Sequence, residues 1–299
     1  MKSSILKLSS LVLLFSLLFM FLVIVVFQKL DNPKFYQVPE DKNVLIIGNS
    51  QSERGLDDKI IGNSINLSQG GDCSFYNYFK GKKIIEDNPQ INTVLFLYTN
   101  NMFLKGMDEW SYDEKHLGFK YPKYGQNIDM KDQWLLFIKN PGSFLIALRD
   151  AVRTDVQLLF SSRDLIIYER LDWGGYEGLD VIGDLSAQDS AFSKFYADTS
   201  ISILDLNYVE KFYEFCKSKN VELILVRAPF HHLFPRVKES DLHEFHKTNL
   251  EGIVFYDYLD TIFYDHEFKD VQHLNTDGSV RLSKMIQNQL LKDNFIKTF

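Results

Sequence analysis

Two cysteines, Cys73 and Cys216, in a chain of 299 residues are too few and too far apart for a disulfide framework or a thiolate zinc site. Basic residues are also in the minority, 33 Lys and Arg against 40 Asp and Glu for a net charge of -7. They gather into no stripe, so the electrostatic footprint of a nucleic-acid surface is missing and no nucleic-acid partner is expected. No H-E-x-x-H segment occurs. The histidine pairs His231–His232 and His243–His246, the second on a probable helix, single out no third ligand. The reading is therefore of a chain with no metal and no cofactor. What the sequence does have is apolar content, 45%, enough for a sizeable core in one large or two small domains.

The apolar residues are concentrated first at the amino terminus. From Leu11 to Phe27, "LVLLFSLLFMFLVIVVF", the only polar residue is Ser16. As a helix this run would extend roughly 25 Å, and with Ile5 to Ser10 it can cross a bilayer. It has no A-x-A cleavage signature and no cysteine near its end for a lipid, so it reads as an uncleaved anchor. Lys2 and Lys7 before the run nearly balance Lys29 and Lys34 after it. The favoured orientation puts the body outside the cytoplasm, as a periplasmic or cell-surface domain on a single-pass anchor. Residues 1–29 are thus the anchor and 30–42, with two prolines, a tether. Residues 43–299 form the body.

Within the body, apolar runs alternate with helical patterns. Strands are expected at Val44 to Ile47, Ser64 to Leu67, Thr93 to Tyr98, Glu222 to Val226 and Ile253 to Phe255. Amphipathic helices are expected at Ser74 to Glu86, Leu204 to Ser218 and Gly278 to Leu291. Nearly continuous apolar strands separated by helices imply a parallel sheet of about five strands covered on both faces, an α/β fold. From about 104 to 199 the rhythm is interrupted by a largely helical insertion rich in aromatics and charges. Such an insertion builds either a lid and substrate wall or a packed cap in which Trp110, Trp134 and Trp173 are core.

In a parallel α/β sheet the ligand crevice lies at the carboxyl ends of the strands. Gly48, Asn49 and Ser50 follow the first strand, Ser68 to Asp72 the second, and Thr99 to Asn101 the third. "DVQHLN", with Asp270, His273 and Asn275, precedes the last helix. Together they supply what acyl transfer needs: a serine, a histidine to take its proton, an acid to orient the histidine, and donors for an oxyanion. Asp270 and His273 are three apart, so one helical turn would face them the same way. Asp265, His266 and Asp277 are competitors for those roles. Ser52 is expected to cap the helix after the first strand. Arg54 is either a surface salt-bridge partner or a contact for an anionic substrate. Arg227 and His231, in "VRAPFHH" after the fourth strand, are candidate crevice residues.

These blocks resemble the SGNH hydrolases, the GDSL esterase and lipase superfamily. "IGNSQS" is similar to the first block, "NLSQGGD" to the second, "YTNN" to the third and "DVQHLN" to the last, in the family's order and across Gly48 to Asn275. The resemblance implies a three-layer, flavodoxin-like α/β/α fold and Ser50 as nucleophile. It also implies Asp270 and His273 as the rest of the triad, and Gly71 and Asn100 as oxyanion donors beside the Ser50 N–H. Asn49 stands where the family usually has Asp, Tyr98 where it has Gly and Asn101 where it has Asp, so Asn100 and Asn101 both remain candidates. The expected function is an anchored serine esterase removing O-acyl groups, acetyl in the first instance, from envelope or extracellular carbohydrate. An O-acetyltransferase using the same triad, and a non-catalytic binding or assembly protein on the same scaffold, are the alternatives.

Overall fold

The computed structural model describes residues 36–160, 173–182, 185, 198 and 200–296, together with 10, 11, 14, 15 and 18 near the amino terminus. The last five are helical and lie within or beside the apolar run, most of which falls outside the described residues. Among the described residues, no helix is long and apolar enough to cross a membrane.

The body is built on five parallel strands: β1 (Val44–Ile47), β2 (Ser64–Asn66), β3 (Thr93–Leu97), β4 (Glu222–Arg227) and β5 (Val254–Asp257). Their order is β2-β1-β3-β4-β5, with registers such as Val44 beside Thr93 and Thr93 beside Glu222. This is the doubly wound, flavodoxin-like order. Every residue of β1 and β3 is buried, because the sheet is covered on both faces and a strand there has no wet side.

Alternation along the strands divides the core in two. Leu45, Ile47, Val94, Phe96, Leu223 and Leu225 point to one face. There they meet helices α2 (Ser74–Asp87) and α7 (Leu204–Ser218). Val44, Ile46, Leu95, Ile224 and Val226 point to the other face and meet Leu282, Ile286 and Leu290 of α9 (Thr276–Lys292). A short helix α1 (Ser50–Gly55) follows β1, and α8 (Glu239–Asn249) lies between β4 and β5. Gly81 lets α2 and α7 approach closely: a Cβ there would sit 2.6 Å from the Phe212 ring.

The insertion is largely helical up to residue 160, in α3 (Gly106–Trp110), α4 (Glu114–Tyr124), α5 (Met130–Lys139) and α6 (Pro141–Phe160), while 173–182 carries no helix. Leu117, Tyr121, Leu136, Phe144, Ala147 and Ala151 extend the core on the α2 side, each apolar side chain stabilising by about 1–3 kcal/mol through burial. The three tryptophans divide. Trp173 is buried against Tyr36, with ring centroids 4.7 Å apart. Trp110 is partly buried and stacks on His116 at 4.6 Å. Trp134 is exposed.

One buried acid ties α7 to α2. Asp205, in the first turn of α7, accepts the Ser74 N–H at 2.5 Å and the Ser74 hydroxyl at 2.8 Å. Burial above all, with the nearby charge of Asp108, pushes its carboxyl up to about 7 against the pull of those hydrogen bonds. A carboxyl whose folded value is raised favours the folded state most at low pH. That contribution is lost as pH rises from about 4 through about 7. Asp205→Asn keeps an acceptor and removes the charge, so thermal unfolding should show a higher Tm than the parent at pH 8 and a flatter pH dependence between 5 and 8. A steeper dependence in the variant would contradict this assignment.

Candidate active site

The chain leaves β1 through Gly48, where a Cβ would overlap the Ser52 hydroxyl and Leu97 Cβ. Only glycine lets β1 turn this close to β3. Asn49 then caps α1, its side chain accepting the Gln51 N–H at 2.9 Å. Ser52 is not the cap; its hydroxyl donates back to the Asn49 carbonyl at 3.1 Å. The Asn49 amide, at the extended position just before the helix, meets the orphan donor more directly. Asn49 therefore does local structural work that either Asn or Asp can do. It leaves Ser50 as the first helical residue, half-buried at the carboxyl edge of the sheet.

His273 reaches Ser50 from the segment between β5 and α9. Its Nε2 lies 2.8 Å from Ser50 Oγ, and its Nδ1 lies 2.9 Å from both carboxylate oxygens of Asp270. The segment is not the helical turn expected from the spacing. It is a bend in which Asp270 Oδ1 accepts the Gln272 and His273 N–H groups at 2.8 and 2.9 Å, so the acid shapes the loop that carries its own histidine. Lys269 N–H to the His273 carbonyl at 2.8 Å closes the bend. Asn275 then caps α9 by accepting the Gly278 N–H. Burial acts to raise the Asp270 carboxyl, but the hydrogen bond and charge of His273 and the two backbone donors outweigh it. The net result lies below the ordinary carboxylate range. An ionised acid on Nδ1 fixes the proton there and turns the Nε2 lone pair toward Ser50.

On the opposite side of Ser50 is the turn after β2. A Cβ built on Gly70 would stand 3.8 Å from Ser50 Cβ and 3.2 Å from Glu53 Oε2. The Gly70 N–H is committed to the Glu53 carboxylate, whose value burial raises while that bond and Arg54 restrain it. Gly71 has φ of +74°, open to glycine at little strain. Among the described residues no acceptor takes its N–H, and its outer side is covered by the His116 ring.

The turn is held from below by ions. Asp72 is fully buried and meets Lys80 and Lys120, each at 2.6 Å. Lys120 also donates to the Gly70 carbonyl at 2.8 Å, and Lys80 to the Leu67 carbonyl at 2.6 Å. Burial works to raise the Asp72 carboxyl, but the two ammonium groups hold it below its ordinary value. Sequence reasoning passed over Asp72 as a structural residue, together with Lys80 and Lys120. The lysines look like surface residues, and only the fold brings 72, 80 and 120 to one point. Glu53 was missed for the same reason.

Several candidates lie elsewhere. Asn100 is buried, and its side-chain amide donates both hydrogens away from Ser50, to the Val237 carbonyl and to Glu239. Its Oδ1 accepts from Arg227 at 3.0 Å. Arg227 does not line the crevice. It is buried and pairs with Asp257 at 2.6 Å and Glu239 at 2.9 Å, locking β4, β5 and α8 together. Asn101 is buried too. Arg54 pairs with Glu177 at 2.9 Å and Glu53 at 3.4 Å, the salt-bridge reading of the two. Through this pair, the Glu177 N–H to the Glu53 carbonyl and the Gly175 N–H to the Ser68 carbonyl, the insertion segment 173–182 is fastened across the ends of β2 and α1.

His231 is buried and braces the bend from Asp270 to His273, its N–H donating to the Val271 carbonyl at 3.1 Å. Its Nε2 lies 3.1 Å from Asp265, and its Nδ1 accepts the Leu233 N–H at 3.3 Å. His231, His232 and Asp265 bring ligand atoms within 4.8 Å of one another. The bond at Nδ1 places the neutral ring's proton on Nε2, so the contact with Asp265 is a histidine–carboxylate hydrogen bond. His246 Nε2 is spent on the Ile253 carbonyl at 3.0 Å, and His266 stacks on Tyr264. A hollow of about 500 Å³ lined by Lys217, Glu222 and Glu251 among others lies at the amino ends of β4 and β5, across the sheet from Ser50.

A protein-family model matches residues 169–295, less than half of the chain. No curated protein matches it. Among solved structures, the chain is similar to a Bacteroides fragilis protein described as an acylhydrolase, at 14% identity and a TM-score of 0.36, over 84% of this chain and 88% of the other. It is also similar to a GDSL-like lipase from Bacteroides thetaiotaomicron, at 11% identity and a TM-score of 0.35, over 86% and 91%.

Proposed function

We propose that this chain is a membrane-anchored serine ester hydrolase acting on O-acyl groups. The observation that carries the reading is the continuous relay from Asp270 through His273 to Ser50 at the carboxyl edge of a parallel sheet. In this reading Ser50 Oγ attacks the ester carbonyl while His273 Nε2 takes its proton. Asp270 stabilises the imidazolium without itself being protonated. The oxyanion is received by the Ser50 N–H, which the Asn49 cap leaves unclaimed, and by the Gly71 N–H. Asn100 contributes no donor in the arrangement described. The tetrahedral intermediate collapses with His273 giving the proton to the leaving alkoxide, and water then repeats the sequence on the acyl-serine.

The apolar run Leu11 to Phe27 supports an anchored protein, and we place its body outside the cytoplasm. The aromatic insertion fastened across the crevice supports a carbohydrate ester, acetyl in the first instance, as substrate. Hydrolysis of p-nitrophenyl acetate by the full chain in detergent, with and without an oligosaccharide acceptor, tests this. Release of acetate that acceptor leaves unchanged is the expected result. Acetylated acceptor would replace hydrolysis by O-acetyl transfer, and no turnover by folded protein would point to a binding or assembly role.

A further inference from the structure

The insertion carries a face that nothing described in the body covers. On α5, Met130, Trp134 and Ile138 recur every fourth residue and are 79%, 61% and 59% exposed. The opposite side of the same helix turns Asp132 and Leu136 inward. On α6, Leu145 and Ile146 are also exposed. The two helices meet where Phe137 of α5 packs on Phe144 of α6 at 5.9 Å, and within α5 Trp134 stacks on the same Phe137 at 5.1 Å. Lys131, Lys139 and Arg149 stand exposed on the same helices. A helix that buries a polar and apolar inner side and shows water a Met, a Trp and an Ile flanked by basic residues has the pattern of an interfacial helix. Isolated exposed apolar residues are ordinary; a run of them at helical spacing is not.

The position of the tether says what covers this face. Tyr36 is the point where the chain from the amino terminus enters the described body. Its hydroxyl accepts from Gln126, four residues before Met130, and its carbonyl accepts from Asn88 at 2.6 Å. The entry point is therefore beside the amino end of α5. The apolar run ends at Phe27, and nine residues reach about 30 Å even when fully extended. A bilayer holding that run thus comes within about 30 Å of Gln126, on the side of the molecule where the apolar face begins.

We infer that the α5–α6 face seats in the interfacial layer of the same bilayer that holds the amino-terminal run. This rests on the anchor in the function proposed above. Trp134 and Met130 enter at headgroup depth, while Lys131, Lys139 and Arg149 meet lipid phosphates. The contact gives the body a second point of attachment, so the Ser50 crevice is held at a fixed height and tilt.

The test uses the full chain in vesicles of phosphatidylcholine and phosphatidylglycerol, 3:1. A nitroxide is placed by Met130→Cys, Trp134→Cys or Ile138→Cys, and by Lys284→Cys on exposed α9 across the sheet; Cys73 and Cys216 are buried. Collisions with oxygen, which concentrates in lipid, are compared with collisions with a water-soluble nickel chelate. The expected result is a several-fold higher oxygen-to-nickel ratio at 130, 134 and 138 than at 284. Equal ratios at all four sites overturn the inference while leaving the anchor intact. Shielding from both reagents overturns it in favour of a protein cover, such as a second copy or residues 161–172. Release of the protein by alkaline carbonate overturns the anchor, and this inference with it, without touching the esterase reading.

Discussion

His273→Ala lowers turnover of p-nitrophenyl acetate by roughly 10⁴-fold with little change in KM, since the imidazole acts on the proton in flight and not on the bound ester. Ser50→Ala falls as far, and the double variant falls no further, because the two side chains act as one unit. Asp270→Asn is the more informative change. It can still accept the Gln272 and His273 N–H groups and so keep the bend, but it no longer holds the Nδ1 proton as a carboxylate does. A loss of about 10³–10⁴-fold with only a small drop in thermal stability at neutral pH is expected. Because His273 and the backbone donors hold the Asp270 carboxyl below the ordinary carboxylate range, its contribution to stability is present above that range. It is lost only as pH falls through the depressed value. Additive losses in the double variant would contradict the relay.

Asp72→Ala is expected to cost about 3–5 kcal/mol of folding stability, since it leaves the Lys80 and Lys120 ammonium groups buried without their shared anion. Burial already pulls the Lys80 ammonium below its ordinary value, and the carboxylate of Asp72 is what restrains that shift. The same change releases Lys120 from its place under the Gly70 carbonyl, so the protein that does fold should also lose activity through a displaced Gly71 N–H. Urea unfolding of the purified chain measures the first effect and ester hydrolysis the second. A change within about 0.5 kcal/mol, the range of ordinary surface substitutions, would mean that water reaches the two lysines and that the hub is not buried as described.

The sheet was legible because its strands are buried on both faces and therefore read as unbroken apolar runs. All five expected strands coincide with observed ones to within two residues at either end. Helices α7 and α9 were legible because each packs one stripe on the sheet. The insertion helices were not resolved individually, since their aromatics face partly the core and partly water and blur the 3.6-residue period. The spacing of Asp270 and His273 brought attention to two residues whose side chains meet, but for the wrong local reason. A helical turn and an Asp-anchored bend both bring residues three apart together, and the sequence does not distinguish them. Asn100 and Arg227 sit at strand ends as expected. What they do there depends on Glu239 and Asp257, which no spacing rule connects to them. The buried hub of Asp72, Lys80 and Lys120 was invisible for the same reason: it is made by packing, and lysine in a sequence reads as surface.

The most direct test of Ser50 as an activated nucleophile is the mass of the intact chain after brief treatment with a fluorophosphonate, followed by peptide mapping. One adduct per chain on Ser50, absent in Ser50→Ala and strongly slowed in His273→Ala, is the predicted result. An adduct on another residue, or none on a folded chain, would contradict it.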